Sequence, residues 1–230
     1  MAVESGSLTT LIAGLGGQGV VMAGGVLAQA ALLAGLDVRQ SEMHGLSQRF
    51  GSVSCQIRIG TGLYSPHRGH GAVDLLVSLE GYEAFKQLPF LRPDGVALVN
   101  RLWRKPVAAV PTSTPNVKSF VETEDFSDPR MEWFPGSELT QQADCPRSLN
   151  FFMLGVLSTR LTIEEIYWYE AIELLASKKG SKANLEIFLM GRRIAVGSES
   201  RPVRRRPLST HALDGAKSVV GLHSDSGSLR

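Results

Sequence analysis

Apolar runs alternate with glycine-rich and polar turns along this chain, which predicts short strands and helices in succession. Residues 11–13 form an apolar run, a cluster of glycines follows, and residues 20–33 are almost all small or apolar. This order is typical of a strand, a tight turn and a buried helix. We expect the helix to span 18–34 and to stop at Gly35. The half-apolar segment 37–41 is then the second strand of a βαβ unit of about 30 residues.

The same patterns predict further elements downstream. Residues 53–59 alternate between apolar and polar positions, which indicates a strand with one buried face. Residues 74–79 and 95–100 are apolar runs typical of central parallel strands. The other predicted elements are a strand at 106–110, irregular loops with one short helix at 111–145, and helices at 80–88, 149–157, 162–177 and 182–195. These elements predict an α/β fold: a Rossmann-like three-layer sandwich with a mostly parallel sheet and helices on both faces.

Two details refine the carboxyl-terminal part of the predicted domain. Thr162 and Glu165 have the spacing of a capping box, so we expect Thr162 to be the N-cap of its helix. Tyr167, Trp168 and Tyr169 are adjacent in sequence, so some of them must lie on a surface, which hints at a partner.

The chain changes character after residue 196. Residues 197–230 are rich in serine and arginine, with a basic run at 201–206. We interpret them as a tail outside the domain formed by residues 1–196, either disordered or ordered only on a partner. No aromatic side chains are interleaved with the arginines, so we do not expect nucleic-acid binding.

Gly14, Gly16 and Gly19 follow the first predicted strand at G-x-G-x-x-G spacing, with Gly17 and Gln18 between them. Glycines let the backbone approach a ligand, and the first amides of a helix attract anions. The turn is therefore a candidate site for a phosphate or carboxylate. A tight turn without a ligand is the alternative, because a fold does not fix a function.

Two acidic residues bear on the nucleotide hypothesis. A nicotinamide site needs an acid at the end of the second strand to hold a ribose. Asp37 comes at the start of that strand and Glu42 just past its end. Glu42 is therefore the candidate ribose ligand.

The polar loop after this strand carries groups suited to chemistry. His44 could carry a proton near neutral pH, and Arg49 could form a forked contact with a phosphate or carboxylate. In the alternative interpretation, His44 caps a turn and Arg49 pairs with a nearby acid.

Cys55 falls on the apolar face of its strand, which favours a buried, inert thiol over a nucleophile. His67 and His70 lie in a small basic cluster without a third nearby ligand, so we expect no metal site.

Composition narrows the function classes. The chain is 43% hydrophobic, carries a formal charge of +2 and has two cysteines. Two cysteines cannot ligate an iron–sulfur cluster in the usual way. The near-neutral charge does not call for nucleic acid or a membrane. The chain starts without a basic region followed by an apolar block, so we expect no signal peptide and a cytoplasmic location.

Several stretches together resemble one family. They are GLGGQGVVMAGGVLAQAALLAGLDV, SEMHGLSQRFGSVSCQIRIG, the strand DLLVSLE and the helix start SLNFFMLGVL. Over about residues 8–195 the chain resembles the gamma subunit or gamma domain of the 2-oxoacid:acceptor oxidoreductases. It is most similar to the small beta subunit of the indolepyruvate:ferredoxin form. Phe50 departs from the glycine that we associate with that form, which leaves the exact substrate open.

The resemblance implies a function as part of a complex. These enzymes decarboxylate a 2-oxoacid on thiamine diphosphate, pass electrons through iron–sulfur clusters to ferredoxin and form an acyl-CoA. The thiamine diphosphate, Mg²⁺ and [4Fe–4S] clusters would belong to a larger partner subunit, with coenzyme A as co-substrate and an aryl 2-oxoacid mildly preferred. This chain would be inactive alone. His44, Gln48 and Arg49 would face the substrate carboxylate, the cofactor diphosphate or the coenzyme A phosphates. The turn formed by Gly14, Gly16, Gly17, Gln18 and Gly19 would bind a phosphate or seat the neighbouring subunit.

Two other functions remain compatible with the sequence. One is a stand-alone oxidoreductase that binds NAD(P) or FAD at the glycine turn, with Glu42 on the ribose. The other is a non-enzymatic interaction module that keeps the fold.

Overall fold

A computed structural model describes residues 6–44, 51–103, 128–176 and 180–197, and for His44 it describes the backbone only. The strands are β1 (Leu8–Leu15), β2 (Asp37–His44), β3 (Ser52–Gly60), β4 (Val73–Ser78), β5 (Leu91–Asn100) and β6 (Met131–Phe134). The helices are α1 (Val20–Leu33), α2 (Gly81–Gln87), α3 (Gly136–Gln142), α4 (Leu149–Ser158), α5 (Glu165–Leu175) and α6 (Ser181–Gly197). The predicted strand at 106–110 and the predicted tail beyond 197 lie outside the described residues.

The six strands form one sheet in the order β2-β3-β1-β4-β5-β6. β1, β4, β5 and β6 pair in parallel, whereas β3 is antiparallel to both of its neighbours, β1 and β2. Five strands therefore share one direction, which confirms the prediction of a mostly parallel sheet. The predicted βαβ unit needs a correction, because β3 separates β1 from β2.

Helices cover both faces of the sheet, as predicted. On one face, Ile12, Val77 and Leu98 pack in the larger core with residues of α1, α4, α5 and α6. The alternating strand residues Leu11, Leu76 and Val99 point to the other face, where a smaller core includes Ala84 of α2. The largest fully buried side chains of the larger core are Trp168, Phe152 and Phe188.

β3 is buried on both faces, contrary to the predicted single buried face. Its polar residues Ser54, Gln56 and Arg58 are as inaccessible as its apolar ones. The connection to β4 covers them: Gln56 Oε1 accepts a hydrogen bond from the Arg68 backbone at 2.6 Å, and Arg58 Nη1 donates to the Ser65 carbonyl at 3.2 Å. Burial and the neighbouring Arg68 charge lower the pKa of Arg58.

The structure corrects two further predictions in the carboxyl-terminal half. β6 was not predicted, because it has only four residues within an irregular polar region; the short helix expected there is α3. The capping box at Thr162 is wrong. The N-cap of α5 is Glu164, because Ile163 is drawn into the core and holds the preceding backbone outside the helix.

The adjacent aromatic residues of α5 divide between core and surface. Trp168 is fully buried, whereas Tyr167 and Tyr169 are partly exposed. Tyr169 donates a hydrogen bond to Glu165 at 2.5 Å and packs edge-on against Phe188. Within the described part of the chain, no helix is long and apolar enough to cross a membrane.

Candidate functional site

The glycine turn lies at the carboxyl edge of the sheet, between β1 and α1. Gly19 is the N-cap of α1 and has φ 80°, a conformation that favours glycine. Gly14 is needed for a close approach, since a Cβ there would lie 2.7 Å from Gln18 Oε1 and 2.9 Å from Val20 Cγ2. The strand–turn–helix prediction is therefore confirmed, although the helix begins at Val20 rather than Gln18.

Gln18 holds the turn closed from within. Its side-chain Oε1 accepts a hydrogen bond from the Leu15 backbone amide at 2.7 Å. The backbone amide of Gln18 donates to the Leu15 carbonyl at 3.0 Å. Its Nε2 is buried without a partner among the described atoms. The predicted ligand-binding residue Gln18 thus has a clear structural role in this turn.

The first turn of α1 is chemically suited to an anion. No described side chain caps it, and it contains no acidic residue. The unsatisfied amides and the positive end of the helix dipole therefore point to the edge of the sheet. Val21 and Met22, in the same turn, are 38% and 39% exposed. Because the side chains of this turn are apolar, its backbone amides are the polar groups available to a ligand.

The residue that follows the polar loop contacts the glycine turn at this edge. The Gly16 amide donates a hydrogen bond to the Gly51 carbonyl at 2.8 Å. Next to it, Ser52 Oγ donates to the buried carboxylate of Glu83 in α2, which also pairs with Lys86. Residues 45–50, with the candidate residues Gln48 and Arg49, lie outside the described part of the chain. The described ends of this segment, at His44 and Gly51, place both of its attachment points at the carboxyl edge.

Glu42 does not lie beside the glycine turn. In the sheet register, Glu42 of β2 lies opposite Cys55 of β3, and Cys55 lies opposite Ile12 of β1. Neighbouring strands are about 4.8 Å apart, so Glu42 is about 10 Å from β1 across the sheet, twice the distance that an adjacent second strand would give. Gln40 Nε2 donates a hydrogen bond to Glu42 at 3.2 Å. The strand order therefore does not support the expected contact between Glu42 and a ligand on the glycine turn.

Cys55 is a buried thiol, as predicted. Burial, together with the charge of Glu42, raises its pKa to about 12. Its sulfur packs beneath Gly24 of α1. A thiol that stays protonated near neutral pH is a poor nucleophile, so Cys55 belongs to the core.

Asn150 was missed as a site residue by the sequence analysis. It is an almost fully buried amide at the start of α4, and its Nδ2 donates to the Gly19 carbonyl at 3.4 Å. Its Oδ1 has no partner among the described atoms. The only sequence signal was a single amide within the apolar run 149–157. Its contact with the N-cap of α1 makes it part of the wall of the site.

The neighbouring strand ends are fixed by polar side chains. Glu80 caps α2 by accepting hydrogen bonds from the amides of Tyr82 and Glu83, at 3.1 and 2.7 Å. Asn100 at the end of β5 donates to the Leu79 carbonyl at 3.0 Å and accepts from the Ser137 amide at 2.9 Å. These groups use their hydrogen bonds to join strand ends to helices, so they act as scaffold.

The described residues contain no group of three or more His, Cys, Asp or Glu side chains that could hold a metal ion. The two histidines of the basic cluster have other contacts. His67 Nε2 lies 3.2 Å from Ser41 Oγ, and the ring of His70 packs edge-on against Phe90.

Comparison with known proteins identifies the family. The sequence model of the family described as pyruvate ferredoxin/flavodoxin oxidoreductase matches residues 9–194. The chain belongs to this family. The chain is similar to the indolepyruvate oxidoreductase subunit IorB of Thermococcus kodakarensis, with 33% identity over 189 residues, covering 79% of this chain and 92% of that protein. The IorB subunit of Archaeoglobus fulgidus is 29% identical over 202 residues, covering 85% and 99%.

Solved structures share the fold of this pyruvate ferredoxin/flavodoxin oxidoreductase domain. The gamma subunit of a keto/oxoacid ferredoxin oxidoreductase from Geobacter sulfurreducens superposes with a TM-score of 0.61 at 21% identity, covering 83% of this chain and 99% of that one. The 2-oxoglutarate:ferredoxin oxidoreductase of Magnetococcus marinus, solved with 2-oxoglutarate, coenzyme A and succinyl-CoA, gives 0.65 at 20% identity. That match covers 89% of this chain and 34% of that one, so this chain corresponds to about a third of it.

Proposed function

We propose that this chain is the non-thiamine subunit of a multi-subunit, indolepyruvate-type 2-oxoacid:ferredoxin oxidoreductase. In this role it supports the oxidative decarboxylation of a 2-oxoacid, with an aryl side chain preferred, to an acyl-CoA, while electrons pass to ferredoxin or another acceptor. The observation that carries the proposal is its similarity to IorB subunits, which extends over 92% of the Thermococcus kodakarensis protein. A cytoplasmic location is part of the same proposal.

The residues of this chain do not fit the redox groups that such an enzyme needs. A [4Fe–4S] cluster takes four thiolates, whereas the chain has two cysteines and Cys55 is enclosed in the core. In this proposal a larger companion subunit holds thiamine diphosphate, Mg²⁺ and the clusters, and coenzyme A is the co-substrate of the complex.

The carboxyl edge is the part of this chain that we place against the companion's active site. The amides at the start of α1 supply donors for a phosphate or carboxylate, and Gly14, Gly16, Gly17 and Gly19 let the backbone approach it. Gly51, which follows residues 45–50 in the sequence, is hydrogen-bonded to Gly16 of this turn. His44, Gln48 and Arg49 are the residues proposed to reach the substrate, cofactor or coenzyme A anions.

Co-purification from the native cells tests the assignment. A tagged full-length chain should bring down a larger, brown subunit that contains thiamine diphosphate. Only the assembled complex should reduce ferredoxin with an aryl 2-oxoacid and coenzyme A. A colourless chain that turns over a 2-oxoacid unaided would overturn the proposal.

Substitution of Arg49 by alanine tests the role of the loop. If Arg49 contacts an anion of the reacting complex, turnover should fall at least about tenfold, while the melting temperature of this subunit changes little. Asn150→Ala is the comparison variant. Because Asn150 is buried and contacts Gly19, this substitution should lower both the activity and the stability. Equal losses of folding and activity for Arg49→Ala would make Arg49 a structural ion-pair residue.

The nucleotide-binding alternative has weaker geometric support, because β3 separates Glu42 from the turn-bearing strand. Titration of the pure chain with NADH, followed by fluorescence, addresses it directly. Tight, saturable binding would favour a stand-alone enzyme over the subunit. Failure to find any companion in the cell would favour a non-enzymatic interaction module.

A further inference from the structure

One face of α5 combines apolar and acidic side chains and is open to solvent. Ile166 and Leu174 are 50% and 65% exposed, and Glu170 and Glu173 are exposed between them. The helix Glu165–Leu175 contains no lysine, arginine or histidine. Large exposed apolar side chains within a charged surface often mark an interaction site.

The negative charge of this face is largely uncompensated within the described structure. Glu165 pairs with Arg192 of α6, but no ion pair with a described side chain involves Glu164, Glu170 or Glu173. Glu173 lies near the carboxyl end of α5, where the helix dipole disfavours an acid and favours a cation. The last turn has no basic residue of its own. The face therefore fits an occupant with several positive charges and some apolar surface.

The chain itself leaves the described structure near the amino-terminal end of α5. α6 runs antiparallel to α5, because Phe188 packs against Trp168 and, one turn later, Arg192 pairs with Glu165 at the start of α5. Gly197 is five residues beyond Arg192, about 7.5 Å along the helix. The chain thus leaves α6 near the amino-terminal end of α5, and it must pass around that end to reach the exposed face.

We propose that the basic segment 201–208 of this chain docks on the exposed face of α5. This segment lies outside the described residues. It contains four arginines and no acid, with Val203 and Leu208 as apolar residues. Arg201 is four residues past Gly197, and a chain extended at about 3.3 Å per residue covers the roughly 16 Å length of α5 within five further residues. The segment is long enough to pass around the start of α5 and follow the helix, and its charge is complementary, so the arginines would reach the glutamates while the apolar residues cover Ile166 and Leu174.

Amide hydrogen exchange of the α5 peptide in the full-length chain tests this docking. The reference is a variant in which the basic run is neutralised, R201S/R204S/R205S/R206S. Docking should slow α5 exchange about threefold or more in the parent relative to this variant. The difference should disappear in about 1 M NaCl, where the Debye length falls to about 3 Å. The matched control, K217S/R230S, removes tail cations outside the segment and should leave α5 exchange unchanged.

A charge exchange separates this contact from other effects of charge. R204E/R205E/R206E alone should speed α5 exchange, and adding E170R/E173R to it should restore protection. The competing cations are Lys178 and Lys179, which follow α5 in sequence. If K178S/K179S speeds α5 exchange while the neutralised tail does not, the docking proposal is wrong. Equal α5 exchange in the parent and the neutralised tail variant also overturns it.

The tail proposal does not depend on the proposed function. Both are tested with the same variants, because co-purification of the companion is scored separately from α5 exchange. If the tail does not dock but the companion still co-purifies, only the docking proposal is wrong. Retained docking without any companion sinks only the subunit assignment.

Discussion

Two neighbouring glycines in the middle of α1 provide a matched test of how closely this helix packs on the sheet. A Cβ added at Gly24 would lie 2.5 Å from Cys55 Sγ and 3.3 Å from Cys55 Cβ. One added at Gly25 meets only Leu175 Cδ1, at an ordinary 3.7 Å. Since the core is close-packed, Gly24→Ala must shift the Cys55 side chain, α1 or β3, whereas Gly25→Ala fits as it stands.

The expected magnitudes follow from two opposing terms. Alanine in a helix interior is favoured over glycine by about 0.5–1 kcal/mol, and both substitutions gain this. Gly24→Ala also incurs the cost of overpacking, about 1–3 kcal/mol. Gly25→Ala should therefore stabilise the chain, and Gly24→Ala should be less stable than Gly25→Ala by about 1–3 kcal/mol. For a domain of this size, that corresponds to a difference in Tm of about 2–12 °C.

Thermal and urea unfolding of the two variants, with Cys55→Ala and the double variant G24A/C55A, completes the test. Removing the sulfur removes the shortest contact, so Gly24→Ala should cost much less in the Cys55→Ala background. Equal stability of Gly24→Ala and Gly25→Ala would show that α1 does not approach β3 this closely. A cost of Gly24→Ala that is the same in both backgrounds would refute Cys55 as its cause.

Two other predictions concern groups near the site. Because the folded state holds the Cys55 pKa at about 12 against an ordinary value of 9.0, Cys55 favours the folded state fully below pH 9. This contribution should be lost as the pH rises from 9 towards 12, so urea unfolding should show a smaller fall in stability for Cys55→Ala; an equal fall would contradict the assignment. Ser52→Ala removes a partner of the buried Glu83 carboxylate and should cost about 1–3 kcal/mol, whereas Lys86→Ala, which changes a half-exposed side chain, should cost under about 1 kcal/mol. Chemical denaturation ranks the two, and a larger loss for Lys86→Ala would refute the ranking.

The elements that the sequence predicted well are those whose local pattern decides their structure. The runs at 74–79 and 95–100 are apolar because both of their faces are buried, and they are β4 and β5. The glycine cluster after the first strand likewise forms the predicted tight turn. The α/β class and the placement of helices on both faces follow from such runs.

The wrong predictions share a tertiary cause. Gln56 and Arg58 are polar and suggested a solvent-facing side of β3, but the 61–72 connection folds over them and forms a hydrogen bond with each side chain. Thr162 is a residue type that often forms an N-cap, but Ile163 is buried and the N-cap, Glu164, lies two residues later. Neither the covering loop nor the burial of one isoleucine is encoded in local spacing.

The site was only partly predictable for the same reason. The glycine turn and the polar loop are contiguous motifs, and their residues could be named from the sequence. Asn150 lies 131 residues from Gly19 in the chain and meets it only through the packing of α4 against α1. A lone amide in an apolar helix gives no indication of which distant turn it contacts.

The antiparallel strand β3 distinguishes this edge of the sheet from that of a dinucleotide-binding fold in two ways. Antiparallel neighbours can be joined at a single edge of the sheet, whereas a parallel partner needs a crossover to the opposite edge. The link from β2 to β3 therefore starts and ends at the carboxyl edge, where Gly51 bonds to Gly16 of the glycine turn. The same insertion moves β2, and with it Glu42, one strand away from β1. One topological change thus weakens the ribose-binding position and brings Gly51, the residue that follows the polar loop, to the glycine turn.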